Sequence, residues 1–348
     1  MTMRYSYFPG CSAESTGRSF TKSAAYVNAR IGFTMVEIPD WNCCGTSAAA
    51  LTSPELAVAL PARSLALSEK VNPGLDVVAP CAGCYKSLKA AVNFARESAA
   101  NLEHVRDLLQ MPYEASADVV SLLEAYCADD VRESIAGTIA RPLRTLRVAC
   151  YYGCALVRPA SVAFDDPEDP QGMDDLMSLI GAEPVDWAFK TECCGASQTI
   201  PIQDIAVPLI ERIFENAAAN GADCIVTACP LCQLNLDMRV EAINEKRRAR
   251  GKKPFDIPCY YFTELIALAQ GAGATDAGLD IHFHPAEELI QRRAADAVAL
   301  AESERAAAEE EVRKKAEIEA KLAAKRAEKE AAAKEKAAEA SAIGEEVS

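Results

Sequence analysis

The sequence predicts an α/β protein built from two similar parallel-sheet units in tandem, with a long charged helix at the C-terminus. Three observations support this prediction. A cysteine pattern occurs twice, short β-like runs alternate with Ala/Leu-rich helical segments, and the composition changes abruptly after His284-Pro285. Strands that alternate with helices are typical of parallel sheets with right-handed crossovers. We therefore predict three domains, at residues 1–142, 143–285 and 286–348, the last being a helical tail.

The repeat is defined by its cysteines. The first half contains Cys11, Cys43-Cys44-Gly45 and Cys81-Ala82-Gly83-Cys84, and the second half contains Cys154, Cys193-Cys194-Gly195 and Cys229-Pro230-Leu231-Cys232. Matching cysteines are separated by 143, 150, 150, 148 and 148 residues, and the residues beside them are similar as well. A nearly constant offset over three separate motifs indicates that a unit of domain size was duplicated.

Short β-like runs precede the cysteine motifs, and we predict strands at residues 5–8, 33–38, 75–79, 146–151 and 224–227. Helices are predicted at segments such as 54–71 and 205–220, and the segment 95–141 is predicted to be a helical extension of the first half. Ligands of parallel sheets gather beyond the carboxyl ends of the strands. We therefore expect the cysteines to converge there, where the N-termini of the following helices can face anionic sulfur.

The last segment has a composition of its own. Residues 286–348 contain no Cys, no Pro and one Gly, and they consist mainly of Ala, Glu, Lys and Arg. Pairs such as Glu317 and Lys321 have the i,i+4 spacing with Glu first, which stabilises a helix. Large apolar residues are too rare for a coiled-coil seam. We predict a long solvated helix, with a partner-binding arm as the alternative.

Charge and composition narrow the functional classes. The chain of 348 residues is 50% hydrophobic, which is enough for a sizeable core, and its net charge is −15. That charge argues against nucleic acid and anionic membranes as main partners. The sequence shows neither a transmembrane run nor a signal peptide. These features predict a cytoplasmic protein without direct membrane insertion, in a compartment that keeps thiols reduced.

Clustered cysteines in a reducing compartment indicate metal binding, and this chain has 14 of them. A CxxC motif places two thiolates on one turn, the commonest arrangement for chelating iron or zinc. The adjacent pair Cys43-Cys44 can reach one site only if that site is large. Each half offers five cysteines whereas zinc prefers four ligands, so we favour a multi-iron cluster in each half, with two zinc sites or buried thiols as the alternative. The glycine after each pair is expected to let the backbone approach inorganic sulfur.

The motif cysteines carry a resemblance to a known family. The pattern Cys11-x31-Cys43-Cys44-Gly45-x35-Cys81-x2-Cys84 resembles the CCG cysteine-rich domain. Two copies in one chain, together with Tyr7-Phe8-Pro9-Gly10-Cys11 and Asp165-Asp166-Pro167-Glu168-Asp169-Pro170, resemble the B subunit of heterodisulfide reductase. The resemblance covers residues 1 to about 270 and leaves out the tail. The second half is two residues shorter between its CC pair and its CxxC motif, a difference that a loop can absorb.

This resemblance implies a cofactor, an activity and partners. In the family each CCG domain binds a noncubane [4Fe-4S] cluster through five cysteines, which here are Cys11, Cys43, Cys44, Cys81 and Cys84, and Cys154, Cys193, Cys194, Cys229 and Cys232. The two clusters split a disulfide, the coenzyme M–coenzyme B heterodisulfide or an analogous small-molecule or protein disulfide, in one-electron steps. Electrons arrive from the ferredoxin-like C subunit of heterodisulfide reductase, which is supplied by the flavin-containing A subunit. No side chain is assigned as a catalytic acid or base.

Two other functions stay open at this point. The chain has neither the ferredoxin run C-x2-C-x2-C-x3-C nor a G-x-G-x-x-G dinucleotide motif, so a partner has to supply its electrons. CCG proteins also occur beside enzymes that oxidise lactate, glycolate, glycerol-3-phosphate and succinate. An iron–sulfur electron-transfer subunit without disulfide cleavage is therefore the main alternative. A zinc-stabilised interaction protein is the third possibility.

Other candidate residues have simpler interpretations. The four cysteines outside the motifs are predicted to be packed thiols; they are Cys127, Cys150, Cys224 and Cys259. For Cys150, a place near the second cluster is the alternative. His282-x-His284 is interpreted as structural rather than as a metal pair. The acidic segment 165–169 is interpreted as a polar turn, with a place at the substrate entry as the alternative. The two tryptophans that precede the CC pairs, Trp41 and Trp187, are expected to pack over the clusters.

Overall fold

The computed structural model describes residues 3–46, 48–198 and 202–345. The chain divides into a compact unit, Met1–Ala294, and a second unit, Ala295–Ser348. The first unit contains two four-stranded parallel sheets whose strands and helices share one buried core. This confirms the predicted class of two parallel-sheet α/β units with a long C-terminal helix.

The first half of the chain forms one sheet with its helices. Its strands are β1 (Arg4–Tyr7), β2 (Thr34–Glu37), β3 (Val77–Ala79) and β4 (Val119–Ser121). Its helices are α1 (Arg18–Ile31), α2 (Ala48–Thr52), α3 (Pro54–Val71), α4 (Ala82–Glu97), α5 (Ala99–Leu109), α6 (Leu122–Tyr126) and α7 (Asp129–Ala136).

The second half repeats this arrangement. Its strands are β5 (Arg147–Tyr151), β6 (Glu183–Pro184), β7 (Cys224–Thr227) and β8 (Cys259–Tyr261). Its helices are α8 (Gly172–Leu179), α9 (Gln203–Ala219), α10 (Pro230–Ala249), α11 (Phe262–Ala269) and α12 (Ala274–Ala277), and α13 (Glu287–Glu345) ends the chain.

The two sheets have the same topology. The strand orders are β2-β1-β3-β4 and β6-β5-β7-β8, and every pairing is parallel. In each sheet the direction of winding reverses between the two central strands, β1 and β3 or β5 and β7. Such a switch point leaves a crevice at the carboxyl edge of the sheet. The loops after these central strands carry Cys11, Cys81, Cys154 and Cys229.

The prediction that 95–141 is a helical extension is wrong where a loop and a strand interrupt its helices. Val119–Ser121 is the edge strand β4, which pairs with β3. Its counterpart β8 and the two-residue strand β6 are likewise not among the strands that the sequence predicts. A short apolar run cannot be distinguished from part of a helix by periodicity alone, and the pairing partners identify these three strands.

The CxxC motifs lie where a central strand turns directly into a helix. Cys81 is the N-cap of α4, and Cys229 is the N-cap of α10, whose first residue is Pro230. Proline is favoured at that position because the first helical N–H has no partner within the helix. The second cysteine of each motif therefore lies in the first turn of the helix.

The two halves pack against each other through helices α1 and α11. The hydroxyls of Ser23 and Thr263 are 2.7 Å apart in the buried interface. The ring of Phe20 stacks on that of Tyr261, with centroids 4.4 Å apart and planes 8° apart. Stacked rings and a satisfied polar pair give a rigid interface, which holds the carboxyl edges of both sheets near each other.

Helix α13 begins within the first unit. Leu289 is buried, Thr145 Oγ1 donates to the carbonyl of Arg293 at 3.3 Å, and Arg293 forms an ion pair with Asp223. Residues 301–329 are exposed, with i,i+4 ion pairs such as Glu310–Lys314 at 2.7 Å. Within the described chain, no helix combines the length and the apolar character that a membrane span requires. The predicted domain boundaries at 142/143 and 285/286 stay predictions.

The start of α13 can be tested by truncation. Removing residues 295–348 is expected to leave the melting temperature of the protein unchanged, because the truncated part lies outside the first compact unit. Removing residues 290–348 also deletes Ile290 and the Arg293–Asp223 pair, and should lower the free energy of unfolding by roughly 1–2 kcal/mol. Thermal melts of both truncated proteins check this, and equal melting temperatures would contradict it.

Candidate functional site

The structure brings the ten motif cysteines together at the carboxyl edges of the two sheets. The first cysteine set consists of Cys11, Cys43, Cys44, Cys81 and Cys84, and the second cysteine set of Cys154, Cys193, Cys194, Cys229 and Cys232. In both sets the cysteines of the CxxC motif and the second cysteine of the CC pair are buried. Cys11, Cys43 and Cys193 are exposed, so both sets open toward solvent.

The first cysteine set is held by hydrogen bonds. Cys44 Sγ lies 3.3 Å from Cys84 Sγ, and this contact lowers the pKa of the Cys44 thiol to about 6 against the opposing effect of burial. Thr46 Oγ1 lies 3.2 Å from the same sulfur, and it also donates to the carbonyl of Gly83 at 2.7 Å. A thiolate is the form that binds metal, so this network favours the ligating state of Cys44.

The second cysteine set has the same contacts with different support. Cys194 Sγ lies 3.6 Å from Cys232 Sγ, and this interaction lowers the pKa of Cys194. Asn235 Nδ2 donates to the carbonyl of Cys194 at 2.7 Å. The backbone N–H of Gly195 donates to Cys193 Sγ at 3.3 Å, and the hydrogen bond with Cys154 lowers the pKa of Cys193.

The two cysteine sets meet at one point. The side chains of Cys81 and Cys229, which belong to different halves, lie close enough to shift each other's pKa. Hydrogen bonds with Cys232 and Cys81 lower the pKa of Cys229, whereas the contact with Cys229 raises the pKa of Cys81. The arrangement is therefore one continuous sulfur-rich region with two centres.

A cavity of about 310 Å³ opens beside this contact. All five cysteines of the second set line it, and the first half contributes Thr46, Lys86 and Ser87 among others. The cavity therefore lies between the halves, and a molecule inside it would touch sulfur on one side and a lysine on the other. Its size is at the lower end of small-ligand sites.

Two further glycines, outside the CC motifs, bring the backbone close to these sulfurs. A Cβ at Gly10 would lie 2.9 Å from Cys84 Sγ, and one at Gly153 would lie 3.1 Å from Cys232 Sγ. Both residues have positive φ, +74° and +66°. The glycines after the CC pairs pack against helices, since a Cβ at Gly45 would meet Ala49 and Leu60. The approach of Gly45 and Gly195 to inorganic sulfur stays a prediction, and the backbone N–H of Gly195 lies 3.3 Å from Cys193 Sγ.

The donor set fits an iron–sulfur group. Five sulfurs in each half, some thiols with lowered pKa and glycine backbones beside sulfur are suited to iron, which takes thiolate ligands. Helix N-termini at Cys81 and Cys229 add partial positive charge. In the described part of the chain, no group of three or more His, Cys, Asp or Glu side chains is already placed to hold a single metal ion. The closest sulfurs contact one another in pairs, as Cys44 does with Cys84.

The cysteines outside the motifs lie in hydrophobic surroundings. Burial raises the pKa of Cys127 to about 12 and raises the pKa of Cys150, Cys224 and Cys259 as well. A buried thiol with a raised pKa stays protonated and unreactive. After burial, the groups with the largest effect on Cys150 are Asp174 and Lys190, which agrees with its interpretation as a packed thiol.

The histidine pair has a structural explanation. His282 Nε2 lies 3.0 and 3.1 Å from the two carboxylate oxygens of Glu264, and both side chains are almost completely buried. Glu264 also accepts the backbone N–H of Tyr261 at the start of α11. The backbone N–H of His284 donates to Asp237 Oδ1 at 3.1 Å. These contacts connect the end of the second half to helices α10 and α11.

The acidic segment and the tryptophans also have defined contacts. Asp165 Oδ2 accepts the backbone N–H groups of Gln171 and Gly172, as expected for a polar turn. The buried Lys190 binds Asp169 at 2.9 Å and thereby fixes this turn close to the second CC pair. Trp187 is buried and donates to the carbonyl of Cys150, whereas Trp41 is partly exposed and packs edge-on against Phe8.

Known proteins share this architecture. The model of the CCG cysteine-rich domain matches the chain twice, at residues 5–89 and 148–237. The chain belongs to the CCG cysteine-rich domain family. Both matched segments contain one complete cysteine set, so the CCG assignment and the observed sulfur geometry coincide.

Three relatives illustrate the range of the CCG proteins. The membrane anchor of the 8-methylmenaquinol:fumarate reductase of Wolinella succinogenes is 30% identical over 83% of this chain and 100% of its own length. The B subunit of the ferredoxin/F(420)H(2)-dependent CoB-CoM heterodisulfide reductase of Methanosarcina acetivorans is 28% identical over 80% of this chain and 92% of its own. A protein of Archaeoglobus profundus, described as like the B subunit of heterodisulfide reductase, is 28% identical over 83% and 98%. The chain is thus a CCG iron–sulfur oxidoreductase subunit.

A solved structure also has this fold. A hypothetical protein from Helicobacter pylori aligns with a TM-score of 0.64 at 14% identity over 82% of this chain. The alignment spans 53% of that protein, so this chain covers about half the length of its structural neighbour. At this identity the likeness concerns the fold alone.

Sequence reasoning missed the polar residues that hold the CCG cysteines. Thr46, Ser87 and Asn235 were not predicted, although Ser87 and Asn235 each lie three residues after the last cysteine of a CxxC motif. That spacing places them one helical turn from the cysteine. Because serine and asparagine are common on helix surfaces, only the structure shows that Asn235 is buried and bonded to Cys194.

The glycines beside sulfur provide a test of the CCG geometry. Gly10→Ala and Gly153→Ala should each reduce bound iron by about half, because the new methyl group displaces one sulfur of its own set. Gly74→Ala is the matched control, since Gly74 has φ +79° but no atom within 4 Å of the added Cβ. That control should lose only the ~1–2 kcal/mol of a left-handed alanine and keep its iron. Iron content per chain decides, and full iron in Gly10→Ala would contradict the prediction.

The His282–Glu264 pair predicts a pH-dependent stability. Burial lowers the pKa of His282, but the Glu264 carboxylate outweighs burial and raises this pKa above its ordinary value. A raised folded-state pKa gives stability that is complete below the unfolded value of about 6.5 and is lost as pH rises through the folded value. His282→Gln should therefore cost about 3 kcal/mol at pH 6 and less at pH 9.

Denaturant unfolding at the two pH values measures this difference. The exposed His104 gives the control, because His104→Gln removes a histidine outside any buried pair. An equal loss at pH 6 and pH 9 would show that His282 is neutral in the folded protein.

Proposed function

We propose that this chain is the disulfide-reducing subunit of a heterodisulfide reductase-type complex. Each cysteine set would hold one [4Fe-4S] cluster of the noncubane type. One observation carries the proposal: two five-cysteine sets from separate sheets meet at the Cys81–Cys229 contact, beside a cavity. Breaking a disulfide takes two electrons, and two adjacent one-electron centres suit that requirement.

The clusters would supply electrons singly and the iron that binds the sulfurs of the cleaved disulfide. The protein's own residues perform the other tasks. In the contacts of Cys44 and Cys194 with their CxxC partners, one sulfur of each pair is favoured as a thiolate. The pKa of Cys44 and of Cys194 is lowered, whereas the pKa of Cys84 and of Cys232 is raised. The cavity admits a small molecule beside the second cysteine set, and Lys86 at its wall places positive charge there. The buried Trp187 excludes water behind β5.

The names of the relatives supply the expected substrate and partners. The relative from Methanosarcina acetivorans is named for a CoB-CoM heterodisulfide reductase, and we propose that heterodisulfide or an analogous disulfide as the substrate. A ferredoxin-like subunit and a flavin-containing subunit would deliver electrons, since the sequence contains no motif for a second cluster type or a nicotinamide. Assembly with such subunits in the cytoplasm is part of the proposal.

A second function is favoured by one specific observation. The relative from Wolinella succinogenes, 30% identical over its whole length, is named as a subunit of a fumarate reductase rather than of a disulfide reductase. In that case the two centres would pass electrons between partners and cleave no disulfide. The alternatives differ in one property, which is whether a thiol reaches the centre.

Metal analysis tests the cofactor. The full chain purified anaerobically should contain about eight iron and eight acid-labile sulfide, with little zinc. Cys84→Ala and Cys232→Ala should each retain about half of the iron, because each removes a ligand from one set only. Cys224→Ala, at a buried cysteine outside the sets, should retain all of it. Two zinc ions and no sulfide would refute the iron–sulfur proposal.

Thiol titration separates disulfide reduction from electron transfer. A coenzyme-like thiol added to the oxidised protein should change the electron paramagnetic resonance spectrum of a cluster, because the sulfur binds in the cavity between the sets. Lys86→Ala should weaken this effect for a thiol with an anionic tail about tenfold, which corresponds to ~1.4 kcal/mol. A spectrum that does not respond to any thiol would favour the electron-transfer function.

A further inference from the structure

A tyrosine beside the sulfur region has a hydroxyl with no partner in the part of the chain that the structure describes. Tyr261 ends strand β8 and is paired with Thr227 of β7, two residues before Cys229. Its side chain is completely buried, and among the residues that the structure describes its hydroxyl has no hydrogen-bond partner. A buried, unpaired hydroxyl destabilises the folded protein, because it has lost its hydrogen bonds to water and gained none. Such a cost points to a partner that is not part of the chain.

The surroundings of this hydroxyl place it next to the meeting point of the two sets. Strand β8 lies beside β7, which leads into Cys229, so Tyr261 lies at the carboxyl edge that carries the second cysteine set. After burial, the groups that raise the pKa of Tyr261 are, in order, Glu264, Cys229, Cys259 and Cys81. The carboxylate of Glu264 is already bonded to His282 and to the backbone N–H of Tyr261. The phenol therefore stays protonated over the physiological range, and it can act as a donor toward the sulfur region.

The ring of Tyr261 is held rigidly. It stacks on Phe20 of the first half with centroids 4.4 Å apart and planes 8° apart. Phe262, the next residue, packs edge-on against Phe20 and Tyr126. The direction of the hydroxyl is thus set by aromatic packing between the halves, which pre-organises a hydrogen bond.

The first half has no equivalent donor. Ser121 occupies the corresponding position, because β3 pairs with β4 as Ala79 with Ser121 and β7 pairs with β8 as Thr227 with Tyr261. The Ser121 hydroxyl accepts the backbone N–H of Glu124 at 2.9 Å and caps helix α6. It is shorter than tyrosine and already engaged. The two cysteine sets are therefore alike in ligands and unlike at this position.

We infer that the Tyr261 hydroxyl donates a hydrogen bond to a sulfur of the group held by the second cysteine set, and that this bond makes the second centre easier to reduce. The inference rests on the proposed function, since it assumes an iron–sulfur group at that set. Reduction adds negative charge to the cluster, and a donor to its sulfur stabilises the reduced form more than the oxidised form. The first centre receives no bond from the position that matches Tyr261, although Thr46 Oγ1 lies 3.2 Å from Cys44 Sγ there. Removing the Tyr261 hydroxyl should therefore change the reduction potential of the second centre alone.

The test measures reduction potentials in chains that keep one centre each. The Cys84→Ala protein retains the second centre, and the Cys232→Ala protein retains the first. Tyr261→Phe should shift the midpoint potential to a more negative value in the Cys84→Ala background and leave it unchanged in the Cys232→Ala background. Redox titration followed by electron paramagnetic resonance reads both. No shift in the Cys84→Ala background, or an equal shift in both backgrounds, would overturn the inference.

Tyr113 provides the matched control. Its hydroxyl is also buried without a partner among the described residues, but Glu69 and Arg96 are the charged groups that act on it, and no cysteine is among them. Tyr113→Phe should leave both potentials unchanged. A shift of the same size in this variant would show that removing any buried hydroxyl produces the effect, which would also overturn the inference.

A second variant covers the case in which Tyr261→Phe binds no iron. Site-specific 3-fluorotyrosine at position 261 keeps the ring and makes the phenol a stronger donor, so the second centre should shift to a more positive potential. An unchanged potential would overturn the inference. Iron and sulfide analysis of the parent chain is a separate measurement: absence of iron there refutes the proposed function, whereas normal iron with unchanged potentials refutes only the role of Tyr261.

Discussion

The sulfur contact between Cys81 and Cys229 is the constraint on which the arrangement of the two halves depends. Both side chains are buried, and they come from different sheets and lie 148 residues apart in the sequence. Bringing ionisable thiols together away from water is costly unless each has a partner. The interface of α1 and α11, with Phe20 stacked on Tyr261 and Ser23 bonded to Thr263, supplies the packing that holds this contact in place.

The five motif cysteines occupy equivalent positions in the two halves, whereas the side chains around them differ. The CC pair is followed by Thr46 in the first half and Ala196 in the second, so only Cys44 receives a threonine hydroxyl at that place. Ser87 and Asn235 occupy equivalent positions one turn after the CxxC motif, but asparagine bonds the backbone of the CC pair. The shared topology thus places five sulfurs in each half, and a few polar side chains determine which hydrogen bonds each cysteine set receives.

The relatives show why the fold does not name the reaction. Proteins of nearly the same length are named for a fumarate reductase in one bacterium and for heterodisulfide reductases in archaea. A pair of one-electron centres serves any reaction that needs single electrons at a fixed place. In this chain the cavity between the halves is lined by Lys86 and by the second cysteine set.

Local sequence predicts much of the architecture. The repeat, the ten cysteines, the class of fold and the helix Pro54–Val71 follow from spacing, composition and end signals such as Ser53 before Pro54. Tertiary structure alone decided the rest. Strands β4, β6 and β8 exist because neighbouring strands pair with them, and Gly10 lies against sulfur because a distant helix brings Cys84 there. The unpaired hydroxyl of Tyr261 has no local signature either, because burial and the absence of a partner are properties of everything that surrounds a residue.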